Sequence, residues 1–320
     1  MITVYYPEDF GTGGKRRLYD EKGCALALGF FDGVHLAHRE LIGEAISLAK
    51  KKSLLSAVFT FPAENERIKA SAKRIYSTSQ KLSIFESLGI DICFVVDFSS
   101  VASLSPDEFI NDIIIGAFSA KEVVCGYNFK FGKGAAADAE YLRKKLPKLN
   151  IGCTVIDECT LDGAPLSSTL IREFLENGET EKAAKALGMP YFIEGEVSHG
   201  DGRGASLGIP TANIALPHDS ISLRRGVYAC AAYIDGIRYP AITNIGSCPT
   251  FGERETHSES YIFGLSGDIY KKKIRIYLLG FIRDEKQFGS KEELILQITV
   301  DKKHVMAIYT ETIWQEIGLN

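Results

Sequence analysis

The order of apolar and polar positions predicts a first half in which strands and helices alternate. Between residues 25 and 178, short apolar runs are followed by longer segments whose apolar residues recur every three or four positions. Strands are predicted at 25–30, 54–61, 91–98, 121–127 and 151–158, and helices at 38–52, 80–89, 105–115, 139–146 and 167–178. Strands and helices that alternate with short connections are typical of an α/β fold. We therefore expect a doubly wound parallel sheet.

The pattern changes after about residue 186, where short apolar runs are separated by turn residues. Strands are predicted at 192–200, 226–234, 237–245, 258–265 and 272–282, with Asp235-Gly236 as a tight hairpin turn. A helical pattern covers 290–309, and Ser290 followed by Glu293 predicts its start. We expect two domains, an α/β domain at 1–186 and a small β-barrel with a C-terminal helix at 187–320.

The composition narrows the class of protein. The 320 residues include 37 Lys and Arg against 41 Asp and Glu, a net charge of −4, so nucleic acid is not expected as a main partner. The chain lacks the long apolar run of a membrane span, and its start, MITVYYPEDF, does not read as a signal peptide, so no membrane partner is expected. Seven scattered cysteines without a CxxC pair favour reduced thiols in the cytoplasm. The sequence leaves open whether the chain forms a homo-oligomer.

Two of the six histidines, His35 and His38, stand three residues apart in GFFDGVHLAH, residues 29–38. This stretch follows the first predicted strand, at the carboxyl edge where doubly wound sheets bind ligands. The next helix begins here, and its free backbone N–H groups favour anions. Two imidazoles beside them can donate hydrogen bonds to a phosphoryl group. The pattern indicates a phosphate site, and two ordinary surface histidines at a helix start are the alternative.

The same stretch resembles the HxGH signature of the nucleotidylyltransferase superfamily. It is more closely similar to G-N-F-D-G-V-H-x-G-H, from the adenylyltransferase domain of bacterial bifunctional riboflavin kinase/FAD synthetases. GYNFKFG at 126–132 and SSTLIR at 167–172 are similar to that domain as well. The resemblance implies a Rossmann-like sheet with catalytic roles for His35 and His38. It implies ATP or phosphate contacts from Gly29, Phe31, Asp32, Gly33, Ser167, Ser168, Thr169 and Arg172, and flavin contacts from Asn128 and Phe129.

A second motif, HGDGRGASLGIPTANI, occupies residues 199–214. A loop this rich in glycine can wrap backbone N–H groups around phosphates, although a flexible surface loop is the simpler reading. Thr211 and Asn213, in an apolar turn after it, offer the oxygen ligands that Mg²⁺ prefers. The whole string resembles the riboflavin kinase signature G-x-G-R-G-x-x-L-G-x-P-T-A-N, and this implies a six-stranded barrel. The residues it implies for phosphate binding are Gly200, Gly202, Arg203, Gly204, Gly208 and Pro210.

Glu259 is the candidate general base of the second domain. The family's base is a Glu in a strand that reads V-E-x-H-I-x-D-F, and here the segment reads HSESYIFGL, residues 257–265. Glu259 keeps the position of the base, while Tyr261 and Gly264 replace the His and Asp that follow. A carboxylate at this place can take the proton of a hydroxyl that attacks the γ-phosphate of ATP.

The resemblance implies two reactions, with riboflavin, FMN and ATP as partners and Mg²⁺ as cofactor. In the first, riboflavin and ATP give FMN and ADP; in the second, FMN and ATP give FAD and pyrophosphate. Three departures bear on the second reaction: Phe30 takes an Asn place, Ala37 takes a Gly place, and residues 60–67 replace a loop that carries His. The alternatives are a kinase with a degenerate nucleotide- or flavin-binding first domain, and a non-catalytic flavin-binding regulator.

Overall fold

A computed structural model of the chain describes residues 1–11, 21–64, 73–199, 209–247 and 256–311. The chain divides into two compact units, Met1–Ser168 and Thr169–Asn320. The division into compact units therefore assigns residues 169–186, which were predicted to end the first domain, to the second unit. The domain boundary expected between residues 186 and 187 stays a prediction.

The described part of the first unit is built on a six-stranded sheet whose paired strands are all parallel. The strands of this unit are β1 (Ile2–Tyr6), β2 (Cys24–Leu28), β3 (Leu55–Thr60), β4 (Ile92–Val96), β5 (Ala120–Gly126), β6 (Lys130–Phe131), β7 (Ala137–Asp138), β8 (Gly152–Ile156), β9 (Thr160–Leu161) and β10 (Ala164–Pro165). The sheet has the order β1-β4-β3-β2-β5-β8, and β6–β7 and β9–β10 form short antiparallel pairs beside it. The sheet confirms the expected α/β class.

Helices connect the strands, as the periodicity predicts. They are α1 (Leu36–Lys52), α2 (Thr78–Ser87), α3 (Phe98–Val101), α4 (Pro106–Glu108), α5 (Ala139–Lys145) and α6 (Ser168–Glu176). Short 3₁₀ turns lie at Glu8–Gly11, Lys133–Ala135 and Leu146–Leu149. The segment predicted as one helix over 105–115 begins with a capping box between Ser105 and Glu108, then continues as a π-helical segment, Phe109–Ala117.

Burial explains the character of the strands. Every residue of β2 and of β4 is buried, which is expected of parallel strands covered on both faces and accounts for their continuous apolar sequence. The five predicted strands are confirmed with ends that shift by one or two residues. The sixth strand, β1, was not predicted, because a five-residue edge strand whose residues are mostly partly exposed has a weaker apolar pattern.

The strand order places a topological switch point between β2 and β5. From β2 the chain builds outward through β3 and β4, and it then returns to the other side of β2 to form β5 and β8. The crossovers on the two sides run in opposite directions, so their helices cover opposite faces of the sheet. The carboxyl ends of β2 and β5 therefore open a crevice, which is where such sheets bind ligands.

The described part of the second unit is a nearly closed antiparallel barrel with the strand order β11-β16-β13-β14-β15-β12. Its strands are β11 (Phe192–Glu196), β12 (Thr211–Ala215), β13 (Gly226–Ile234), β14 (Ile237–Ser247), β15 (Thr256–Ile262) and β16 (Lys273–Arg283), and its further helices are α7 (Thr180–Leu187) and α8 (Lys291–Glu311). A bridge between Ser198 and Asn213 joins the two edges of the sheet. The six-stranded barrel is confirmed, but Thr211–Ala215 is a strand rather than the expected turn.

Helix α8 packs against the barrel strands β13, β14 and β16. The backbone N–H of Glu293 donates to Ser290 Oγ over 3.2 Å, so Ser290 caps the helix as predicted. Asp301 on α8 is almost fully buried and accepts hydrogen bonds from Arg283 of β16 over 2.8 and 3.0 Å. In the part of the chain that the structure describes, no helix combines the length and the apolar character needed to span a membrane.

Candidate active sites

A cleft of about 420 Å³ opens at the carboxyl ends of β2, β5 and β8, and it is called the N-terminal cleft below. Its lining combines the loops that follow these three strands with the starts of α1 and α6. Of the residues predicted to act in this unit, it includes Gly29, Phe31, Asp32, His35, His38, Asn128, Phe129, Ser167 and Ser168. The sheet thus assembles three sequence motifs that are far apart along the chain.

The loop after β2 is shaped by the ring of Phe31. This residue is fully buried and has a φ of 53°, and its ring lies against Gly29, where an added Cβ would be 2.8 Å from the ring. Gly33 has a φ of 83°, in the region that favours glycine. Gly33 turns the chain without lining the cleft, so of the two glycines only Gly29 borders the ligand space.

His35 and His38 meet at the start of α1. His35 is the N-cap residue, with an extended backbone and 5% exposure. The two imidazole rings are stacked, with centroids 3.6 Å apart and an angle of 17° between their planes, and Phe31 packs edge-on against His38. Stacking fixes both rings beside the free N–H groups of the helix. An anion here meets aligned donors from the side chains and from the backbone.

The start of α6 is tied to the same loop. Ser168 Oγ donates to the backbone oxygen of Asp32 over 2.8 Å, while the buried carboxylate of Asp32 accepts from the backbone N–H of Ile75 over 3.2 Å. Thr169 and Arg172 continue along α6 and are not part of the described lining of the cleft. Ser167 and Ser168 are therefore the members of the SSTLIR motif that border the ligand space.

A buried lysine holds the loops after β2 and β3 together, and sequence reasoning missed it. Lys81 is 1% exposed, and its Nζ donates to the backbone oxygens of Phe30 and Phe61, each over 2.9 Å, and to Thr60 Oγ1 over 2.8 Å. The Phe30 ring also lies 4.8 Å from this ammonium group. Phe30, which departs from the family pattern, therefore still has its backbone fixed beside the histidine loop.

Glu64 lies in the loop after β3, within residues 60–67, which depart from the family pattern. It accepts from the backbone N–H and the hydroxyl of Thr78 at the start of α2, and from Arg74 over 3.1 Å. Partial burial would raise the pKa of Glu64, but these hydrogen bonds and the Arg74 charge hold it below its usual range. Glu64 is not part of the described lining of the cleft, and Glu66 and Arg67 lie outside the described residues.

Tyr127 and Glu158 form an unpredicted pair in the cleft lining. Tyr127 Oη donates to Glu158 Oε1 over 2.5 Å, and this bond raises the pKa of the phenol, which therefore stays protonated near neutral pH. The neighbouring Phe129 has a different role, because its ring packs against the core of the sheet. The sequence signal for the pair was that each residue is the last one of a predicted strand, 121–127 for Tyr127 and 151–158 for Glu158.

Two clefts of about 330 Å³ each are formed by described residues of the second unit. The first, called the Glu259 cleft, is lined by Ile209, Thr211, Val227, Ile242, Asn244, Glu259, Tyr261, Arg283, Glu285, Lys286, Phe288, Leu294 and Ile298. The second, called the Tyr270 cleft, is lined by Val197, Pro210, Thr211, Ala212, Ser260, Ile262, Leu265, Gly267, Asp268, Ile269 and Tyr270. Thr211 borders both clefts.

Thr211 and Glu259 are in direct contact. Thr211 Oγ1 donates to Glu259 Oε1 over 2.7 Å. Asn213 pairs directly with Glu259 across β12 and β15, and it lies two residues from Thr211, so its side chain is on the same face of the strand. Asn213 is not part of the described lining of either cleft, whereas the predicted Pro210 lines the Tyr270 cleft.

The rest of the glycine motif cannot be placed. Gly200, Gly202, Arg203, Gly204 and Gly208 lie outside the described residues. Among the described residues, no group of three His, Cys, Asp or Glu side chains is arranged to hold a metal ion. Any metal at Thr211 and Asn213 would take neutral oxygens from these two residues and would rely on substrate phosphates for charged ligands, which Mg²⁺ often uses.

Two protein families match the chain, one over the part that contains the histidine motif and one over the part that contains the glycine motif. Residues 18–170 match the FAD synthetase family, and residues 187–309 match the riboflavin kinase family. The bifunctional riboflavin kinase/FMN adenylyltransferase of Bacillus subtilis (strain 168) is 37% identical over 299 residues, which cover 91% of this chain and 94% of the relative. The chain belongs to the bifunctional riboflavin kinase/FMN adenylyltransferase family.

Further relatives in this family are similar over nearly the same length. The enzyme from Listeria monocytogenes is 34% identical, over 89% of this chain and 92% of the relative, and that from Escherichia coli (strain K12) is 31% identical, over 88% and 91%. A crystal structure from Streptococcus pneumoniae, described as a macrolide-efflux protein, has a TM-score of 0.81 at 28% identity and covers 96% of this chain and 99% of that chain. The likeness supports the fold, and the efflux role belongs to that protein's description.

Several lining residues of the second unit were given no site role from the sequence, although Asn244 and Glu285 lie in segments, 244–246 and 283–288, that resemble the riboflavin kinase family. Asn244 Nδ2 donates to Glu285 Oε1 over 3.3 Å, and both residues line the Glu259 cleft. Tyr270 stacks on His199 with ring centroids 3.7 Å apart. For Tyr270 the signal was the turn-rich SGDIY segment, residues 266–270, which an exposed hairpin explains equally well.

Proposed function

We propose that this chain phosphorylates riboflavin in its barrel and adenylylates the resulting FMN at the N-terminal cleft, as its family members are named for doing. The observation that carries the proposal is the contact between Thr211 and Glu259 where two clefts meet. A kinase needs two substrates whose reacting atoms converge at one point. A carboxylate and a hydroxyl at the common border of two clefts provide such a point.

In the kinase reaction, we assign the Glu259 cleft to riboflavin. Its lining is mainly apolar, with Val227, Ile242, Phe288 and Leu294 available to pack on the flavin ring system. The 5′-hydroxyl of riboflavin then lies beside Glu259, which takes its proton as the oxygen attacks the γ-phosphorus of ATP. The bond from that phosphorus to the β,γ-bridging oxygen breaks, and FMN and ADP are the products.

ATP is assigned to the Tyr270 cleft, which includes Pro210 of the glycine motif. The proton of Thr211 points to Glu259, so the lone pairs of its oxygen are available to a cation. Thr211 and Asn213 fit Mg²⁺ because they offer neutral, hard oxygens on one strand face. When bound with ATP, the ion neutralises charge on the phosphates, while the glycine motif contributes backbone N–H groups.

In the adenylyl transfer, a phosphate oxygen of FMN attacks the α-phosphorus of ATP, and pyrophosphate leaves. This oxygen is already ionised, so no base is required. His35 and His38 donate to the α-phosphate as charge builds on it, together with Ser167, Ser168 and the start of α1. Asp32, Gly29 and Phe31 shape the loop, and Asn128 and Phe129 border the flavin. The phosphate contacts expected of Thr169 and Arg172 stay a prediction.

The departures at Phe30 and at Glu64 are compatible with this reaction. The Phe30 backbone is held by Lys81, and Glu64 is paired with Arg74 and with the start of α2. Ala37 does line the cleft, and its methyl group occupies space beside the histidines. We therefore propose that adenylyl transfer takes place at this cleft, and that the ATP phosphates have less space beside the histidines than a glycine at position 37 would leave.

We also propose a functional boundary at residues 186/187 and action in the cytoplasm. The riboflavin kinase match begins at residue 187, which supports the first proposal. The use of ATP supports the second, as does the state of the described cysteines, all of which are free thiols.

The test is to incubate the purified chain with riboflavin, ATP and Mg²⁺ and to separate the flavins by chromatography over time. We expect FMN first and FAD afterwards. FMN that never becomes FAD, even when FMN is supplied directly, would leave a kinase with a binding domain. No product at all, with riboflavin bound, would contradict both activities and leave a flavin-binding regulator.

A further inference from the structure

We infer that Tyr127 and Glu158 recognise the adenine base of ATP in the N-terminal cleft, with Tyr127 stacking on the ring and Glu158 accepting from the 6-amino group. This inference rests on the adenylyl transfer proposed above and names the part of the cleft that selects its nucleotide. Both residues line the cleft and neither belongs to the predicted phosphate or flavin contacts.

The pair is held at the end of the sheet. The backbone N–H of Tyr127 donates to the backbone oxygen of Ile156 over 2.9 Å, which extends the pairing of β5 with β8 by one residue. Glu158 is two residues beyond the end of β8 and accepts a hydrogen bond from the Tyr127 phenol over 2.5 Å. The Tyr127 ring therefore has a fixed orientation, although 48% of its surface is exposed.

This exposure argues against a structural role for the ring. Tyr127 is not among the residues that pack on the core of the sheet, whereas Phe129, two residues on, is. A hydrogen bond between exposed groups adds little to stability. A large aromatic face that is already ordered and still open to solvent is suited to binding a flat ligand, because the entropy of ordering it is not lost on binding.

The position in the sheet indicates which part of ATP lies here. His35 and His38 follow β2, Tyr127 follows β5, and Glu158 follows β8, the next strand but one from β2. Two strand spacings amount to about 10 Å. This is comparable to the distance from the α-phosphate of a nucleotide to its base. With the α-phosphate at the histidines, the base reaches Tyr127 and Glu158.

Charge favours adenine over the flavin at this end. Asp157 and Glu158 are acceptors that would repel a phosphate and the two carbonyl groups on the pyrimidine edge of isoalloxazine, whose one donor, N3–H, lies between those carbonyls. The corresponding edge of adenine presents an amino group. A carboxylate has two oxygens, so Glu158 can accept from the Tyr127 phenol and from this amine together.

The test measures FAD formation from FMN with the full-length chain, and riboflavin phosphorylation in the same preparation reports on the other unit. We expect Tyr127→Leu to raise the KM for ATP about tenfold, as loss of base stacking does elsewhere, with the KM for FMN and the kinase rate within about twofold of wild type. Tyr127→Phe keeps the ring and should change the KM for ATP about threefold or less.

The control for the loss of an aromatic ring is Tyr5→Leu, at an exposed position on the edge strand β1. The control for the hydrogen bond is Tyr141→Phe, because Tyr141 donates to Asp107 over 2.8 Å and is not part of the described lining of the cleft.

Inosine triphosphate, which carries an oxygen in place of the 6-amino group, tests the role of Glu158. Wild type should use it at least about tenfold less efficiently than ATP, and Glu158→Gln should narrow this ratio, because an amide can donate to the oxygen. An unchanged KM for ATP in Tyr127→Leu, a raised KM for FMN instead, or equal use of the two nucleotides by wild type would each overturn the inference. Failure of wild type to form any FAD would instead contradict the proposed function of the cleft.

Discussion

Thr211 and Glu259 are joined diagonally across two strands of the barrel, with Thr211 Oγ1 2.7 Å from Glu259 Oε1. In the strand register, Thr211 is opposite Tyr261, and Asn213 is opposite Glu259. Diagonal neighbours on one face of a sheet are within reach of each other's side chains. The hydrogen bond therefore aims the carboxylate at the border of the two clefts, where a substrate hydroxyl and the γ-phosphate of ATP would meet.

Replacing the carboxylate should separate the two activities. Glu259→Gln keeps the size of the side chain and an acceptor for Thr211 but removes the base, so we expect riboflavin phosphorylation to fall by about 10²-fold or more. FAD formation from supplied FMN should stay within about twofold. Glu196→Gln, at an exposed position on β11, is the control. A kinase rate within tenfold of wild type would show that Glu259 is not the base.

Replacing either histidine of the stacked pair should reduce FAD formation and leave riboflavin phosphorylation intact, the reverse of the result expected for Glu259. His38→Asn and His35→Asn each remove an imidazole from the stacked pair, so we expect FAD formation to fall about 10²-fold with riboflavin phosphorylation unchanged. The reason is that each imidazole donates to charge that develops on the α-phosphate. His304→Asn, at an exposed position on α8, should leave both rates unchanged. Equal losses in both reactions would indicate misfolding rather than catalysis.

Replacing Lys81 should lower both the stability of the first unit and the rate of adenylyl transfer. Lys81→Met leaves the backbone oxygens of Phe30 and Phe61 without their lysine donor, so we expect the free energy of unfolding of the first unit to fall by about 2–4 kcal/mol. At a temperature where the variant is folded, kcat for FAD formation should fall more than the KM for FMN rises. The exposed Lys50→Met on α1 is the control. Urea unfolding that matches wild type would contradict this role.

Glu194 should make the barrel sensitive to acid. Its carboxylate lies 2.6 Å from both Lys273 Nζ and Arg275 Nε. Burial alone would raise the pKa of Glu194, but the hydrogen bonds from these two cations hold it below its ordinary value. A carboxyl whose pKa is lowered by folding stabilises the fold above its unfolded pKa, and this contribution is lost as the pH falls through its folded pKa.

The measurement is urea unfolding of wild type and Glu194→Gln between pH 7 and pH 3. We expect the variant to be less stable by about 2 kcal/mol at pH 7 and the difference to shrink below about pH 4. Glu196→Gln, at an exposed position on β11 of the same barrel, is the control with a carboxyl that is not buried. A difference that stays constant with pH would show that the charge of Glu194 does not contribute.

Much of the fold and of the candidate sites was predictable because local patterns carry it. The buried strands β2 and β4 are continuously apolar, and the motif around His35 directly follows β2, so the site at the strand ends could be placed in advance. The strand order brought Asn128 and Ser168 to the same cleft. That order follows from packing across the whole sheet, which no local pattern records.

Other features depend on contacts that a single sequence does not show. Lys81 reads as a solvated helix residue, and only the fold shows that it is buried between two loops. Glu64 lies in the 60–67 segment that departs from the family pattern, and only the fold shows that its carboxylate is bound at the start of α2. The helix predicted at 105–115 did not reveal the π-helical winding of Phe109–Ala117, because buried residues at 109, 110, 113, 114 and 117 suit either winding.

Because Thr211 borders both clefts of the barrel, ligand binding in one cleft is coupled to ligand binding in the other. One hydroxyl contributes to both walls, so a ligand that alters its orientation in one cleft changes the affinity of the other. Thermodynamic linkage requires the same factor in both directions. If ADP strengthens the hold on FMN, then FMN must strengthen the hold on ADP equally, and the two products of the kinase would delay each other's release.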